Sequence, residues 1–310
     1  MTAATSHNAA FMDRLPVVQG RYLLAEPLAK YTWFKVGGPA EVLFVPKDAD
    51  DLCHFLASLP MDISVMPLGV GSNLLVRDGG VSGVVIRLGK AFGDIVVDQQ
   101  DIYCGAGATD VAVAAVCRDH GIGGLEFLRG VPGVIGGALK MNAGAYGREI
   151  ADVFVSATAV TRTGELVELS PADMGFSYRH TDVEEGLIFI RARLRGVPDD
   201  PGVIAERMAA ISQAREDSQP LRTRTGGSTF KNPAGSKAWE LVDAAGCRGL
   251  TIGGAQVSQK HCNFLLNNGT ASAADIERLG EEVRQRVKAK TGVNLQWEIK
   301  IIGHDEVEQP

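Results

Sequence analysis

The chain has 310 residues, enough for two domains and for a core that needs neither disulfide nor metal. With 45% hydrophobic and 22% charged residues and a net charge of −6, it is an ordinary globular composition that argues against a nucleic-acid partner. Five scattered cysteines (Cys53, Cys104, Cys117, Cys247, Cys262) with no CxxC spacing argue against a disulfide framework or a metal site and point to a reducing cytoplasm. No apolar run approaches the roughly 20 residues of a membrane span. The N-terminal MTAATSHNAAFMDRLP lacks the basic-then-apolar order of a secretory signal, so residues 1–20 read as a flexible lead.

In chain order, 41–45 (EVLFV) reads as a strand, and Asp48 is placed to cap an amphipathic helix over 49–59. Strands at 63–65 and 84–88 leave the turn Gly69-Val70-Gly71 after a strand and outside any helix. Short strands at 95–98 and 101–104 precede a helix at 110–120 that Gly121 ends. Strands follow at 154–161, 165–169 and 187–194, the first two joined by a Thr163-Gly164 turn. Pro198-Asp199-Asp200-Pro201-Gly202 is the strongest punctuation and marks a domain boundary. Beyond it lie a helix at 203–216, a short helix at 237–245 closed by Gly246, and the longest helix, from Ser272 to near Gly292. A last strand is expected over 293–301, where Val293, Leu295, Trp297, Ile299 and Ile301 alternate with polar residues.

Three glycine-bearing patches carry most of the functional information. Gly69-Val70-Gly71-Ser72-Asn73 can offer bare main-chain N–H groups and two side-chain donors to a diphosphate, although no third glycine opens a helix as in a dinucleotide fingerprint, and a plain turn reads equally well. The stretch 121–147 (GIGGLEFLRGVPGVIGGALKMNAGAYG) holds nine glycines in twenty-seven residues. Each glycine in a helix costs about 1 kcal/mol against alanine. Gly133, Gly136, Gly137, Asn142 and Gly144 therefore point to a flat ligand packed on backbone, with a tightly packed helix pair as the alternative.

The third patch, Gly226-Gly227-Ser228-Thr229-Phe230-Lys231-Asn232-Pro233, sets a hydroxyl, a cation and an amide close together. No Gly-x-Ser-x-Gly surrounds Ser228, and no histidine is placed as its base, so it fits a proton donor or binding group better than an acyl nucleophile. Taken alone, Ser228 is also an ordinary turn serine, Arg179 a solvated arginine after Tyr178, and Glu298 an exposed carboxylate on the polar face of the last strand.

Taken in order, these residues resemble the UDP-N-acetylenolpyruvoylglucosamine reductase family. The resemblance rests on 31–40 (YTWFKVGGPA), 68–75 (LGVGSNLL), 128–137 (LRGVPGVIGG), 141–147 (MNAGAYG), 176–179 (FSYR), 227–233 (GSTFKNP) and 297–299 (WEI), and spans roughly 20–303. It implies an α+β chain: a vanillyl-alcohol-oxidase-type FAD-binding domain of two α/β subdomains over 21–199, divided near 90, and a C-terminal α/β substrate domain over 200–310. It implies NADPH-dependent reduction of UDP-N-acetylglucosamine enolpyruvate to UDP-N-acetylmuramate through non-covalent FAD, in peptidoglycan precursor synthesis. Cofactor contact would fall to Gly69, Gly71, Ser72, Asn73, Gly130, Pro132, Gly133, Gly136, Gly137, Asn142 and Gly144. Substrate contact would fall to Tyr178, Arg222, Lys231 and Asn232.

In that family pattern Ser228 would donate a proton, while Arg179 and Glu298 would stabilise the enolate-like charge that follows hydride addition. Glu298 would do so as a protonated acid kept neutral by burial. The segment from Arg179 to Ser228 carries no insertion bearing a substrate-closing tyrosine, so the chain resembles the shorter second type, and Tyr178 is not given that closing role. The implied partner is a UDP-sugar, with no nucleic acid, no membrane insertion and a monomer or weak oligomer. An oxidase of the same FAD fold is the competing enzyme reading, and a non-catalytic flavin- or nucleotide-sugar-binding module the competing class.

Overall fold

The computed structural model describes residues 11–306; the first ten residues of the expected lead lie outside the described residues. The chain gathers into two compact units that interleave along the sequence. The first holds residues up to Leu24, Val42–Gly69 and Gly83–Gln213; the second holds Ala25–Glu41, Val70–Ser82 and Ala214 onward.

In the first unit a five-stranded antiparallel sheet runs in the order Leu166–Leu169, Phe154–Val160, Ile188–Arg195, Asp101–Gly105, Ile95–Asp98. The Asp101 carboxylate fixes one of these registers by accepting hydrogen bonds from Arg195 and Arg193 on the facing strand. Those two guanidiniums hold its carboxyl well below the usual range. The helix Asp110–Asp119 starts at Thr109, whose hydroxyl accepts from Ala112 N at 3.3 Å. It buries Val113, Ala114 and Cys117, and these join Ile102, Leu128, Ile135, Leu139 and Leu194 in one core.

A second core in this unit surrounds the helix Ala49–Ser58. Asp48 caps that helix, accepting from Asp51 N at 2.9 Å, and the mutually tilted rings of Phe44 and Phe55 have their centres 4.3 Å apart. The expected strand at 63–65 begins instead at Val65 and runs to Leu68, because Ile63 N is committed to a turn onto Pro60 O at 3.1 Å. Arg162, in the turn after Phe154–Val160, closes the far end of the helix. Its Nη1 donates to Leu56 O at 3.3 Å and Leu59 O at 3.5 Å, and its Nη2 to Pro60 O at 2.7 Å and Ile63 O at 3.0 Å. Four carbonyls at the helix end and in the turn beyond it are thus served by one guanidinium.

The second unit is built on a four-stranded sheet in the order Arg224–Ser228, Phe264–Asn267, Ala255–Val257, Thr251–Ile252. The helix Ala273–Thr291 packs on it, opened by a Ser272–Asp275 capping box and closed by Gly292 at φ +77°. Its Ile276, Leu279, Val283 and Val287 meet Phe34, Leu75, Phe230 and Leu265 in the core.

The strand expected over 293–301 is cut short. Only Lys300–Ile302 forms one, parallel to Leu74–Val76, and upstream of it Trp297 makes a single bridge to Phe230. The alternation that signalled a strand reports burial: Leu295 and Ile299 are inside, and Asn294 and Gln296 outside. The Trp297 side chain packs on the helix Ala273–Thr291. A Cβ on Gly280 would stand 2.0 Å from the indole, and the indole Nε1 donates to Glu281 Oε1 at 2.8 Å.

Two outcomes follow for stability. Arg162→Ala takes the donor from the Leu56, Leu59 and Ile63 carbonyls, while Pro60 O keeps its bond from Ile63 N, and lowers unfolding free energy by about 2–4 kcal/mol, read from the urea midpoint; Arg162→Lys recovers less than half because one ammonium cannot span them. Gly280→Ala forces the indole off the helix, costs about 1–3 kcal/mol, and moves the tryptophan emission.

Candidate active site

The long glycine patch folds in the first unit as a succession of short pieces. Residues Glu126–Gly130 form a 3-10 turn, Ile135–Lys140 a short helix, and Gly144–Ala145 a hairpin with Arg148–Glu149. Part of it is laid antiparallel on 106–110. Asp110 N donates to Gly133 O at 3.2 Å, Ile135 N to Ala108 O at 2.9 Å, and Gly136 N to Ala106 O at 2.8 Å.

Several of these glycines answer to the chain itself. A Cβ on Gly130 would lie 2.8 Å from the Tyr146 ring, one on Gly144 2.6 Å from Arg148 O, and one on Gly69 2.9 Å from Val134. Gly137 differs: it is exposed, and a Cβ there would meet nothing within 4 Å. Main chain is open to a ligand at that point, beside half-buried Pro132 and Gly133. This bare, small-residue surface fits a flat cofactor such as FAD.

Asn142 is fully buried at φ +41°, and its amide is committed to the fold. Nδ2 donates to Ser177 O at 3.1 Å, and Oδ1 accepts from Ala151 N at 3.0 Å. That amide anchors a tight turn, in which Ser177 N donates to His180 O at 3.0 Å and His180 N donates to Ser177 O at 3.1 Å. Arg179 sits in the turn at φ +56°, a left-handed backbone that non-glycine residues seldom adopt. Its Nη2 donates to Gly144 O at 3.0 Å, and its guanidinium lies 5.3 Å from the centre of the exposed Tyr178 ring. The arginine is therefore held against the same glycine patch by backbone, carbonyl and ring face together.

The second unit holds Gly71, Ser72, Asn73, Ser228 and Glu298. Gly71 has φ +61°, and a Cβ there would stand 2.5 Å from Tyr31 O, so only glycine fits. Ser72 and Asn73 are half-buried, and Asn73 Nδ2 donates to Glu298 O at 3.1 Å. The main chain around Ser228 is gripped on both edges. Thr229 N donates to Asn263 O at 2.7 Å and Glu298 N to Thr229 O at 2.8 Å, while Lys231 N donates to Gln296 O at 2.9 Å. The Asn263 side chain adds two more bonds: Oδ1 accepts from Phe230 N at 3.0 Å, and Nδ2 donates to Phe230 O at 2.9 Å.

Ser228 and Glu298, seventy residues apart, are thereby set on adjoining strips, both half-buried. A hydroxyl and a carboxyl so placed can deliver and stabilise a proton or a developing negative charge. Arg222, at φ +60°, and Asn232 are exposed, and Lys231 is half-buried. Asn232 Oδ1 also accepts from Ala238 N at 2.9 Å, at the start of the helix Ala238–Ala244.

The sequence reading missed Asn263, the amide that holds the Ser228 strip. Its signal was present: Asn263 and Asn267 bracket the apolar run Phe264–Leu265–Leu266, and an amide that close to a strand needs a backbone to serve. It also missed His261, whose Nδ1 accepts from Asn263 N at 3.3 Å and whose imidazole burial pulls below its usual value.

The FAD binding domain family matches residues 40–170, and the UDP-N-acetylenolpyruvoylglucosamine reductase C-terminal domain family matches 219–302. A UDP-N-acetylenolpyruvoylglucosamine reductase of Rhizorhabdus wittichii is 59% identical over 98% of this chain and 99% of its own. One of Novosphingobium aromaticivorans is 58% identical over 92% of this chain and 97% of its own. The crystal structure of the Thermus caldophilus reductase superposes with a TM-score of 0.80 at 34% identity, covering 92% of this chain and 99% of that one. The expected fold class holds: an FAD-binding domain of the vanillyl-alcohol-oxidase type followed by the C-terminal domain characteristic of these reductases. With matches of this length and identity, the chain belongs to the UDP-N-acetylenolpyruvoylglucosamine reductase family.

Proposed function

We infer that this chain is the FAD-dependent UDP-N-acetylmuramate dehydrogenase of peptidoglycan precursor synthesis, reducing UDP-N-acetylglucosamine enolpyruvate with electrons from NADPH. Nearly full-length identity to reductases of that name carries the reading. FAD, when bound, would supply the hydride chemistry that links NADPH to the methylene carbon of the enolpyruvyl group. The residues of the chain have three tasks around that delivery: to seat the cofactor, to stabilise the charge that hydride addition creates, and to supply a proton.

For the first task we assign Gly69, Gly130, Gly133, Gly136, Gly137 and Gly144, with Pro132 and Asn142, in the first unit, and Gly71, Ser72 and Asn73 in the second. The open face at Gly137 supports this. Asn142 and Asn73 serve it indirectly, since their amides hold the Arg179 turn and the Glu298 strip. The FAD-binding domain is assigned to 21–199, divided near 90, and the substrate domain to 200–310.

Hydride addition leaves negative charge spread between the neighbouring carbon and the substrate carboxylate. A fixed cation and a protonated acid stabilise that charge in the transition state more than in the ground state. Arg179 is assigned the first part and Glu298 the second. Ser228 gives its hydroxyl proton to the neighbouring carbon, which completes the lactyl ether. Tyr178, Arg222, Lys231 and Asn232 are assigned to the UDP-sugar. The net charge of −6 supports a chain that works without nucleic acid, as a monomer or weak oligomer, and the five free cysteines support a cytoplasmic setting.

Ser228→Ala is expected to keep FAD and its reduction by NADPH, while anaerobic reoxidation of the flavin by the enolpyruvyl substrate slows by about 10²–10⁴-fold. Unchanged reoxidation removes the serine from the mechanism. Glu298→Gln is expected to lower kcat with KM nearly unchanged, because its contribution arises only as charge develops. A rise in KM alone makes Glu298 a binding group.

A further inference from the structure

Asp110 is a buried acid that the reaction leaves unused. It is 0% exposed, and neither carboxyl oxygen has a hydrogen-bond partner. Asp51 shows what a buried aspartate ordinarily requires: at 3% exposure its oxygens accept from the N–H groups of Gln19, Gly20 and Lys47. A carboxylate without such partners is too costly to keep charged, and the group holds its proton instead. Burial pushes the Asp110 carboxyl up to about 8, against a smaller downward pull from the Gly133 backbone.

The surroundings bring it no compensating charge. Cys104 on the strand Asp101–Gly105 senses both Asp110 and Cys117, the latter on the same helix as Asp110; burial pushes both thiols up, so both stay neutral at pH 7. Asp94 and Arg191, which also act on Cys104, pair with each other at 3.1 Å.

Its place in the chain is the second observation. Asp110 is the residue whose N–H holds Gly133 O, and Thr109 bridges Val134. The carboxyl therefore lies where the glycine segment is pinned to 106–110, four residues from the open face at Gly137. We propose that Asp110 is a positioning residue for FAD: as a neutral acid it keeps the Gly133–Gly137 segment in its cofactor-receiving conformation, and its ionisation loosens that segment and weakens FAD binding.

The proposal rests on the assignment of that segment to the cofactor. A carboxylate formed at Asp110 needs water, and the segment above it is what must move to admit water. An anionic diphosphate cofactor covering the segment adds negative charge and excludes water, and both favour the proton. By linkage, FAD raises the Asp110 value by as much as ionisation lowers FAD affinity, and one unit corresponds to about tenfold.

The sign for stability follows from the same shift. The folded chain holds a proton that the unfolded chain releases near the usual value of 3.8, so the stability contributed by protonated Asp110 is complete below that pH and is lost as pH rises through about 8.

The test is FAD fluorescence recovery on dilution of the holoenzyme between pH 6.5 and 9.5, in wild type, Asp110→Asn and Gly137→Val. Wild-type FAD affinity is expected to stay level to about pH 7.5 and then fall about tenfold, while that of Asp110→Asn stays level throughout. A level wild-type profile, the same rise in Asp110→Asn, or weak binding by Asp110→Asn at every pH overturns the proposal. Gly137→Val reads the segment assignment separately: it loses FAD at every pH if the cofactor lies there, and normal binding by this variant overturns that assignment. Should Asp110→Asn fail to fold, aspartate-labelled wild-type holoenzyme is followed by infrared spectroscopy. A buried carboxylic acid band at pH 6.5 that disappears by pH 9.5 supports the proposal, and its absence at pH 6.5 overturns it.

Discussion

The main chain of Thr229 is bonded on both sides, its N–H to Asn263 O at 2.7 Å and its carbonyl to Glu298 N at 2.8 Å. Thr229 is itself fully buried, so these groups have no water to fall back on, and breaking either bond leaves an orphan that costs about 1–3 kcal/mol. The placement of Ser228 and Glu298 follows from that constraint. Neither side chain has to reach for the other, since backbone sets their separation. The bidentate Asn263 amide takes over on one side where the register with Phe264–Asn267 shifts between Thr225 and Ser228. On the other side Trp297, seated on Gly280 and against the Phe230 ring at 5.2 Å, keeps the Glu298 strip in place.

The first unit uses a different device. Its glycines fall into two kinds that look alike in sequence. Gly130, Gly136 and Gly144 are glycines because neighbouring protein atoms stand where a Cβ would go, whereas Gly137 faces open space. The first kind draws the segment tight against 106–110 and Tyr146, and only the second presents backbone outward. A dense glycine patch is thus partly scaffold, and the scaffold share is the larger one here. Arg179 belongs to the same economy of space: its left-handed backbone is held by the Asn142 amide, which a plain loop arginine would lack.

Much of this was legible beforehand because it depends on local chemistry. Asp48, Ser272 and Gly292 mark helix ends through capping rules that need only a few consecutive residues. The Thr163-Gly164 turn and the strands beside it follow from period-two patterning and a glycine at φ +82°. What escaped depends on contacts distant in sequence. The alternation over 293–301 correctly gave inside and outside, yet the seat of the indole on the helix is made by Gly280, seventeen residues upstream of Trp297. Asn263 lies thirty-five residues from Ser228, and no spacing rule links them. Asp110 was read only as part of a helix start, since burial of a first-turn acid cannot be seen until the segment at 133–136 is folded over it.

The second unit draws its core from both ends of the chain: Phe34, Val36 and Leu75 pack with Phe230, Leu265, Ile276 and Leu295. During synthesis the early members of that core leave the ribosome long before the late ones exist. At about 5–20 residues per second the gap between Phe34 and Leu295 lasts roughly ten to fifty seconds. Over that interval three apolar side chains lack part of their native core, and the unit that carries Ser228 and Glu298 cannot finish closing. The second unit is therefore the last to be assembled, and a nascent chain stalled before the C-terminal helix presents an apolar surface for chaperones to cover.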